Sequence, residues 1–330
     1  MAPRIGGYRE VNECDVTVVV EWDNARFSEL WRAEALLAEL AHQTAALDRR
    51  FEVVVVYDNS EIDGHSLEKL IHESGLEEVP NIELATKGGE HLHYYQLKNF
   101  GSSDAHGELV VFVDSDAIPQ PGWLESMLTP FQDPEVGIVG GNTSIGPFRD
   151  FYSRAYALCC YFHLPEEKGP PQRRPDFFAN NVSFRKTVLT AHPFPTDPEK
   201  FRSQSNESTD YRTSIASVGV WHAPSAQVMH PPPNGLSHLL KRSLLEGYDS
   251  LIDARRQGYT NLGERSVRFL AWDLQRCLSR ILFHHRRVWL SPPEVPFAVV
   301  FTAAVCVTRW IGFLASIKAP ERMKALSSSV

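Results

Sequence analysis

Two carboxylates one residue apart, Asp114 and Asp116, close the run Glu108-Leu109-Val110-Val111-Phe112-Val113. The apolar part is short and rich in β-branched residues, which predicts a strand buried on both faces. Two charges at the end of such a strand are expensive to desolvate unless something pairs with them. Strand ends are also where α/β proteins bind ligands. Acids at i and i+2, with the small Ser115 between them, can reach one hard divalent cation, and Mg²⁺ or Mn²⁺ prefers oxygen ligands. Taken alone, Asp-Ser-Asp is as readily a solvated acidic turn, so the rest of the chain decides.

Other residues invite chemistry less strongly. Glu21 and Asp58 each close a β-branched run, as Asp114 does. Asn181 and Arg185 lie on a predicted strand, Phe177–Arg185, as polar contacts. Glu207 and Asp210 precede a predicted helix that runs to Ala216; acids in a first turn favour the helix dipole and need do nothing else, or one of them serves as a general base. His230 sits at a strand end before three prolines, where a structural histidine is the commoner outcome. His91 and His93, at i and i+2 of a predicted helix over 91–104, point apart and are read as surface or packing residues. Neither G-x-G-x-x-G after the first strand nor G-x-x-x-x-G-K-[ST] anywhere is present, which removes the dinucleotide fingerprint and the phosphate loop.

These residues need a sheet to bring them together. Val16–Val20, Phe51–Tyr57, Asn81–Ala85 and Leu109–Val113 are predicted strands. A helix over Ser28–Leu47, with Ser28 as N-cap and Leu30, Leu37 and Leu40 as its stripe, separates the first two. The alternation of strands and helices predicts a mostly parallel, Rossmann-like α/β sheet flanked by helices, with Glu21, Asp58 and Asp114 lining one crevice. Beyond Asp116, Pro121 starts a helix carrying Trp123, Leu124, Met127 and Leu128. Val136–Gly141 is another strand, Phe151–His163 a helix and Pro165–Pro175 a loop. Val220–Trp221 and Gln227–Met229 are short strands.

The chain has 330 residues, enough for one large α/β domain and an appendage. Its five cysteines show no paired framework and suit a reducing compartment. Residues 1–12 are polar and read as no signal peptide. Residues 1–240 carry 19 Lys+Arg against 34 Asp+Glu, whereas residues 241–330 carry 14 against 7. A basic end on an acidic body points to an anionic partner; because its cations sit on amphipathic helices beside an apolar segment, a membrane surface is expected and nucleic acid is not.

In order along the chain, these blocks resemble the family 2 glycosyltransferases of GT-A fold, from about Val16 to about Gly247. Val16–Asn24 is similar to the family's first strand and loop, and Val53–Ser60 to its second strand and acid. Lys98-Asn99-Phe100-Gly101 with Ala105-His106-Gly107-Glu108 resembles Arg-Asn-x-Gly…Ala-x-Gly. Val111–Asp116 through Pro121–Leu124 resembles the D-x-D block, Asn181–Arg185 the strand near the acceptor, Glu207–Gly219 the Glu-Asp helix, and His230–Gly247 the closing His block. The resemblance implies an inverting transfer of a hexose from a nucleoside-diphosphate sugar, UDP foremost, to a glycan or lipid-linked acceptor. It implies Mn²⁺ or Mg²⁺ on Asp116, with Asp114 at the metal or ribose and His230 as a further metal or phosphate contact. It implies nucleotide-sugar contacts at Glu21, Asn24, Asp58, Lys98, Asn99, Ser115, Asn181 and Arg185. Two departures stand out: the first loop reads Glu-Trp-Asp-Asn where the family has Pro-Thr-Tyr-Asn, and Ser208 takes the usual place of the base, leaving Glu207, slightly preferred, or Asp210. A nucleotidyltransferase and a non-catalytic GT-A-like module are the rival readings.

The expected division is a catalytic domain over 1–235, split near residue 120 into nucleotide-sugar and acceptor halves, and a helical region over 236–330. Two stripes are expected there to pack on the catalytic domain: Leu239, Leu240, Leu244, Tyr248, Leu251 and Ile252, and Val267, Leu270, Leu274, Leu278, Ile281 and Leu282, with Arg268, Arg276 and Arg280 off the second. Residues 297–317 are apolar and near the ~20 residues that span a bilayer. Arg309 within them would cost roughly 2.5–3.5 kcal/mol at a helix centre, so an interfacial segment or a helix pairing within a homodimer ranks above a span. The expectation is a cytoplasmic enzyme peripheral to the inner face of the membrane.

Overall fold

A computed structural model of the chain describes residues 14–165, 169–174, 177–196, 215 and 217–327. Four strands, β1 (Val16–Glu21), β2 (Phe51–Asp58), β3 (Ile82–Gly89) and β4 (Leu109–Asp114), form a parallel sheet in the order β3-β2-β1-β4. Every residue of β1 and β4 is buried. The two-residue period of a strand sends alternate valines to opposite cores. Val16, Val18 and Val20 join one cluster, with Leu36, Leu37 and Leu40 of α1 (Leu30–Ala45); Val19 joins the other, with Phe112 and with Leu97 of α3 (Tyr94–Ser102). Between β2 and β3 runs α2 (Gly64–Glu73). Leu37 is fully buried, so truncating it to alanine would cost about 2–5 kcal/mol.

Past β4 the sheet becomes mixed. β5 (Ile118–Pro119), α4 (Trp123–Leu128), β6 (Val136–Ile145), α5 (Phe151–Cys159), β7 (Gln172–Arg173), β8 (Asn181–Arg185), α6 (Lys186–Ala191) and β9 (Gly219–His230) follow. β8 runs antiparallel between β4 and β6, and β9 pairs parallel with β6. The two short strands expected at 220–221 and 227–229 are one strand, β9, with a register shift opposite Gly141 and Asn142.

Three local expectations change. α1 starts at Leu30 with Glu29 as an N-cap that makes no side-chain bond, so Ser28 is not the cap. Leu30 is exposed, and the buried stripe is Ala33, Leu36, Leu37 and Leu40. α3 starts three residues late, because His91 adopts φ 55° and gives its backbone N–H to Asp58, while His93 caps the helix.

The C-terminal region is helical: α7 (Gly235–Arg256), α8 (Leu262–His284), α9 (Val295–Lys318) and α10 (Pro320–Ser327). α7 and α9 cross closely because both carry glycine at the contact. A Cβ on Gly247 would lie 2.0 Å from the Arg309 carbonyl, and one on Gly312 would lie 2.1 Å from that of Leu244. The approach seats Arg309, fully buried, on Glu246 at 2.6 Å and on Asp273 at 3.1 Å. The first expected stripe holds in part: Leu239, Tyr248, Leu251 and Ile252 are buried and Leu240 is exposed. The second also holds in part: Ile281 is buried, and Leu270 and Leu274 pack half-buried against the same core. Val267 and Leu282 are exposed, while Arg276 and Arg280 turn inward to the carbonyls of Ala157, Cys159, Cys160 and Phe162. The last carbonyls of α5 have no intrahelical donors, and these guanidinium groups supply them.

Candidate active site

β1 and β4 are in register, with Glu21 opposite Asp114. At their C-terminal ends the chain leaves the sheet, and the side chains meet. Asn24 Nδ2 donates to Glu21 Oε2 at 2.9 Å and to Asp114 Oδ2 at 3.0 Å. Glu21 also accepts from the Asp23 N–H at 2.7 Å, which folds the loop into a 3₁₀ turn over 23–26. Asp114 receives two further donors from α3, Tyr94 OH at 2.9 Å and Lys98 Nζ at 2.6 Å. Tyr94 and Lys98 are four residues apart and so share a helix face. Lys98 is fully buried, so the pair has little water to compete with it.

Asp116 follows in the turn where the Ala117 N–H reaches back to the Asp114 carbonyl at 3.0 Å. Arg32 on α1 steadies that turn: its guanidinium donates to the Asp116 carbonyl at 3.3 Å and to the Gly146 carbonyl at 2.7 Å. The last residue of β9, His230, faces Asp116, with Nε2 3.5 Å from Oδ2. Its Nδ1 lies 2.8 Å from the Pro231 carbonyl, an acceptor, so Nδ1 carries the proton and Nε2 presents its lone pair. Burial, with Arg242 adding to it, pushes His230 down to about 4, against the Pro231 bond and Asp114, which push it up. The ring is therefore neutral at pH 7. Ligand atoms of Asp114, Asp116 and His230 all lie within 4.8 Å of one another. Two carboxylates and a neutral imidazole suit a hard or borderline divalent cation and leave coordination positions for phosphate oxygens and water.

This cluster opens into a cavity of about 620 Å³ that Asn24, Tyr94, Asp114, Asp116, Asn180 and His230 line at one end. Arg242, Glu246, Ser250 and Asp253 of α7, with Gln257 just beyond it, also line the cavity. Eleven helical steps separate Arg242 from Asp253, about 16 Å along the helix.

Several expected site residues do other work. Asp58, Glu21, Lys98, Asn99, Ser115, Asn181 and Arg185 are not among the cavity's lining residues. Glu21 and Lys98 hold Asn24 and Asp114 from behind. The side chain of Asn99 is spent on the backbone of Phe194, donating at 2.9 Å and accepting at 3.0 Å. Asn181 accepts from Trp123 Nε1 at 2.8 Å and donates to the Ala226 carbonyl at 3.0 Å. Arg185 binds the carbonyls of Phe131, Asp133 and Val136. It is at the wrong end of the sheet: β8 runs antiparallel, so Arg185 pairs with Leu109 at the start of β4. Asp58 accepts from Ser60 and His91. Burial raises its pKa, but these bonds outweigh it and hold the carboxyl below its ordinary value. Ser115 Oγ is buried without a hydrogen-bond partner. Glu207 and Asp210 lie outside the described residues. Tyr94, Arg32 and Arg242 escaped sequence reasoning; the one signal was a lysine, Lys98, inside an otherwise apolar helix face with Tyr94 a turn before it.

A Rossmann-like sheet with an acidic, cation-sized cluster at its carboxyl edge defines a nucleotide-sugar-transferase architecture, the GT-A fold. Residues 30–193 match the model of glycosyl transferase family 2. The chain thus carries a family 2 glycosyltransferase domain over that stretch. Among solved structures it is similar to a mannosyltransferase from Pyrobaculum calidifontis in complex with GDP-Man and Mn²⁺, at 18% identity and TM-score 0.51, over 92% of this chain and 88% of that one. It is also similar to residues 1–349 of S. aureus TarS, at 14% identity and TM-score 0.46, over 93% and 91% of the two chains. No curated protein sequence matches it.

Proposed function

We propose that the chain transfers a hexosyl group, with inversion, from a nucleoside-diphosphate sugar, UDP foremost, to a hydroxyl of a glycan or lipid-linked acceptor. It acts in the cytoplasm, at the inner face of the cell membrane. The observation that carries the reading is the convergence of Asp114, Asp116 and His230 within 4.8 Å at the end of a large cavity. These residues fit Mn²⁺ or Mg²⁺, which neutralises charge on the departing diphosphate when bound. The Mn²⁺ and GDP-Man of the P. calidifontis mannosyltransferase support the same choice.

The chain's own groups supply the rest. Asn24, fixed between Glu21 and Asp114, lines the cavity and is the group placed to meet the nucleotide. The acceptor oxygen attacks the anomeric carbon as the bond to the diphosphate breaks, and a carboxylate takes the acceptor proton. Glu207 or Asp210 is that base. Arg32 and Lys98 touch no substrate; they hold the backbone of Asp116 and the carboxylate of Asp114. Five free cysteines accord with a reducing compartment.

The test is a donor panel. UDP, GDP, CDP and dTDP are compared by thermal shift with and without Mn²⁺, and products are then assayed with the matching sugar nucleotide. A metal-dependent shift and release of the nucleoside diphosphate are expected. Pyrophosphate release would make the chain a nucleotidyltransferase, and nucleotide binding without turnover would make it a binding module.

A further inference from the structure

The helix most able to cross a bilayer by composition, Pro292–Lys318, is apolar on its exposed side as well as its buried one. Its buried face carries Thr302, Arg309 and Ser316 among Ala298, Val305, Cys306 and Phe313. Its solvent face carries Phe297, Val300, Ala304, Val307 and Ile311, with Phe297 68% and Val300 70% exposed. The spacing of three, four, three and four makes one continuous stripe. α8 behaves alike: Asp273, Arg276 and Arg280 turn inward, whereas Val267, Ala271, Leu282 and Phe283 face out, Phe283 at 77% exposure. Trp289, 64% exposed, lies between the two helices in sequence. Together the two helices leave a run of large apolar side chains in solvent, which marks a surface that meets a partner.

Charge around this face selects the occupant. His284 ends α8, His285, Arg286 and Arg287 follow it, and Lys318 and Arg322 close α9 and open α10. Of the acidic side chains nearby in sequence, Glu294 pairs with Arg154 at 2.5 Å and Asp273 with Arg309 and Arg276, while Glu321 stands among the cations. Residues 241–330 are net basic on a net acidic body. A full span would carry Arg309 into the hydrocarbon and break its bonds to Glu246 and Asp273.

We propose that the outer face of α8 and α9 seats in the interfacial layer of an anionic phospholipid bilayer, with α9 lying in the surface and not across it. This makes specific the membrane location put forward above and bears on the acceptor. Arg265, Arg268, Phe269 and Trp272 of α8 line the cavity, and exposed Val267 and Ala271 lie on the opposite side of the same helix. One helix thus borders both the cavity and the bilayer-facing surface, and the acceptor is one presented on a lipid.

The test is co-sedimentation of the full-length protein, without donor or metal, with vesicles of phosphatidylcholine alone or mixed with phosphatidylglycerol. Binding to the mixed vesicles, weakened by salt, is expected. V300E and I311E place charge on the exposed stripe and should abolish it while leaving the thermal melt unchanged. R286Q should weaken it roughly five-fold, the loss of one surface cation. Equal sedimentation of wild type and V300E, or none with either vesicle, would overturn the proposal. So would a stable dimer in light scattering that V300E dissociates, because the face would then belong to a second copy. Because no donor or metal is present, these outcomes are independent of the donor panel.

Discussion

Lys98→Met isolates what holds the metal-site aspartate. Lys98 Nζ lies 2.6 Å from Asp114 Oδ1, and both side chains are almost wholly out of solvent. Breaking a buried pair by removing one partner costs about 3–5 kcal/mol, since the remaining charge is left without compensation. Tyr94 and Asn24 still donate to Asp114, so the lower figure, about 3 kcal/mol, is expected here. At roughly 2–4 °C per kcal/mol for a chain of this size, the melt should fall by about 6–12 °C in EDTA. Saturating Mn²⁺ should return a large part of that loss, because a second cation on Asp114 replaces the missing one. Asp114→Asn in the same background should relieve the defect without metal, giving a coupling of about 1–3 kcal/mol in the double-mutant cycle. The assay is denaturant unfolding of the four proteins with and without Mn²⁺. A Lys98→Met protein within about 1 kcal/mol of wild type, or one that Mn²⁺ leaves unchanged, would refute the reasoning.

Glu207→Gln or Asp210→Asn, whichever residue is the base, should lower kcat by about 10²–10⁴-fold with donor binding intact, read by steady-state kinetics beside UDP titration. Burial and the neighbouring His222 hold His163 down at about 3. The unfolded chain protonates this group near its ordinary value and the folded one does not, so stability is full above about pH 6.5 and falls as pH drops toward 3. Near pH 5.5 the loss should be about 1 kcal/mol, and His163→Gln should flatten that part of a stability-against-pH series. Arg309→Met strands Glu246 and Asp273 and should cost about 3–5 kcal/mol by the same denaturation measurement.

The parallel half of the sheet was legible because its strands are unbroken valine-rich runs that end in acids, and burial on both faces leaves no other pattern. The D-x-D pair and His230 were legible as types and positions, and the structure brings them together. What the sequence did not disclose was direction. Arg185 and Asn181 share a strand, but antiparallel pairing puts Arg185 at the far end of the sheet. Asn99 and Lys98 are adjacent in a helix, yet one faces the Phe194 backbone and the other Asp114. The C-terminal helices departed from expectation for a physical reason: α5's open carbonyls and the Glu246–Asp273 pair draw Arg276, Arg280 and Arg309 in, while Val267 and Leu282 are left outside. Only packing reveals that exchange.

The account stands on Asp114, Asp116 and His230 acting as one cation site that carries the nucleotide. Titration of Mn²⁺ by electron paramagnetic resonance, with and without UDP, tests that directly in wild type, Asp116→Asn and His230→Ala. Wild type should bind one Mn²⁺, more tightly with UDP, and each variant should lose at least about tenfold in affinity while keeping its melt. Identical Mn²⁺ titrations in all three proteins would contradict it.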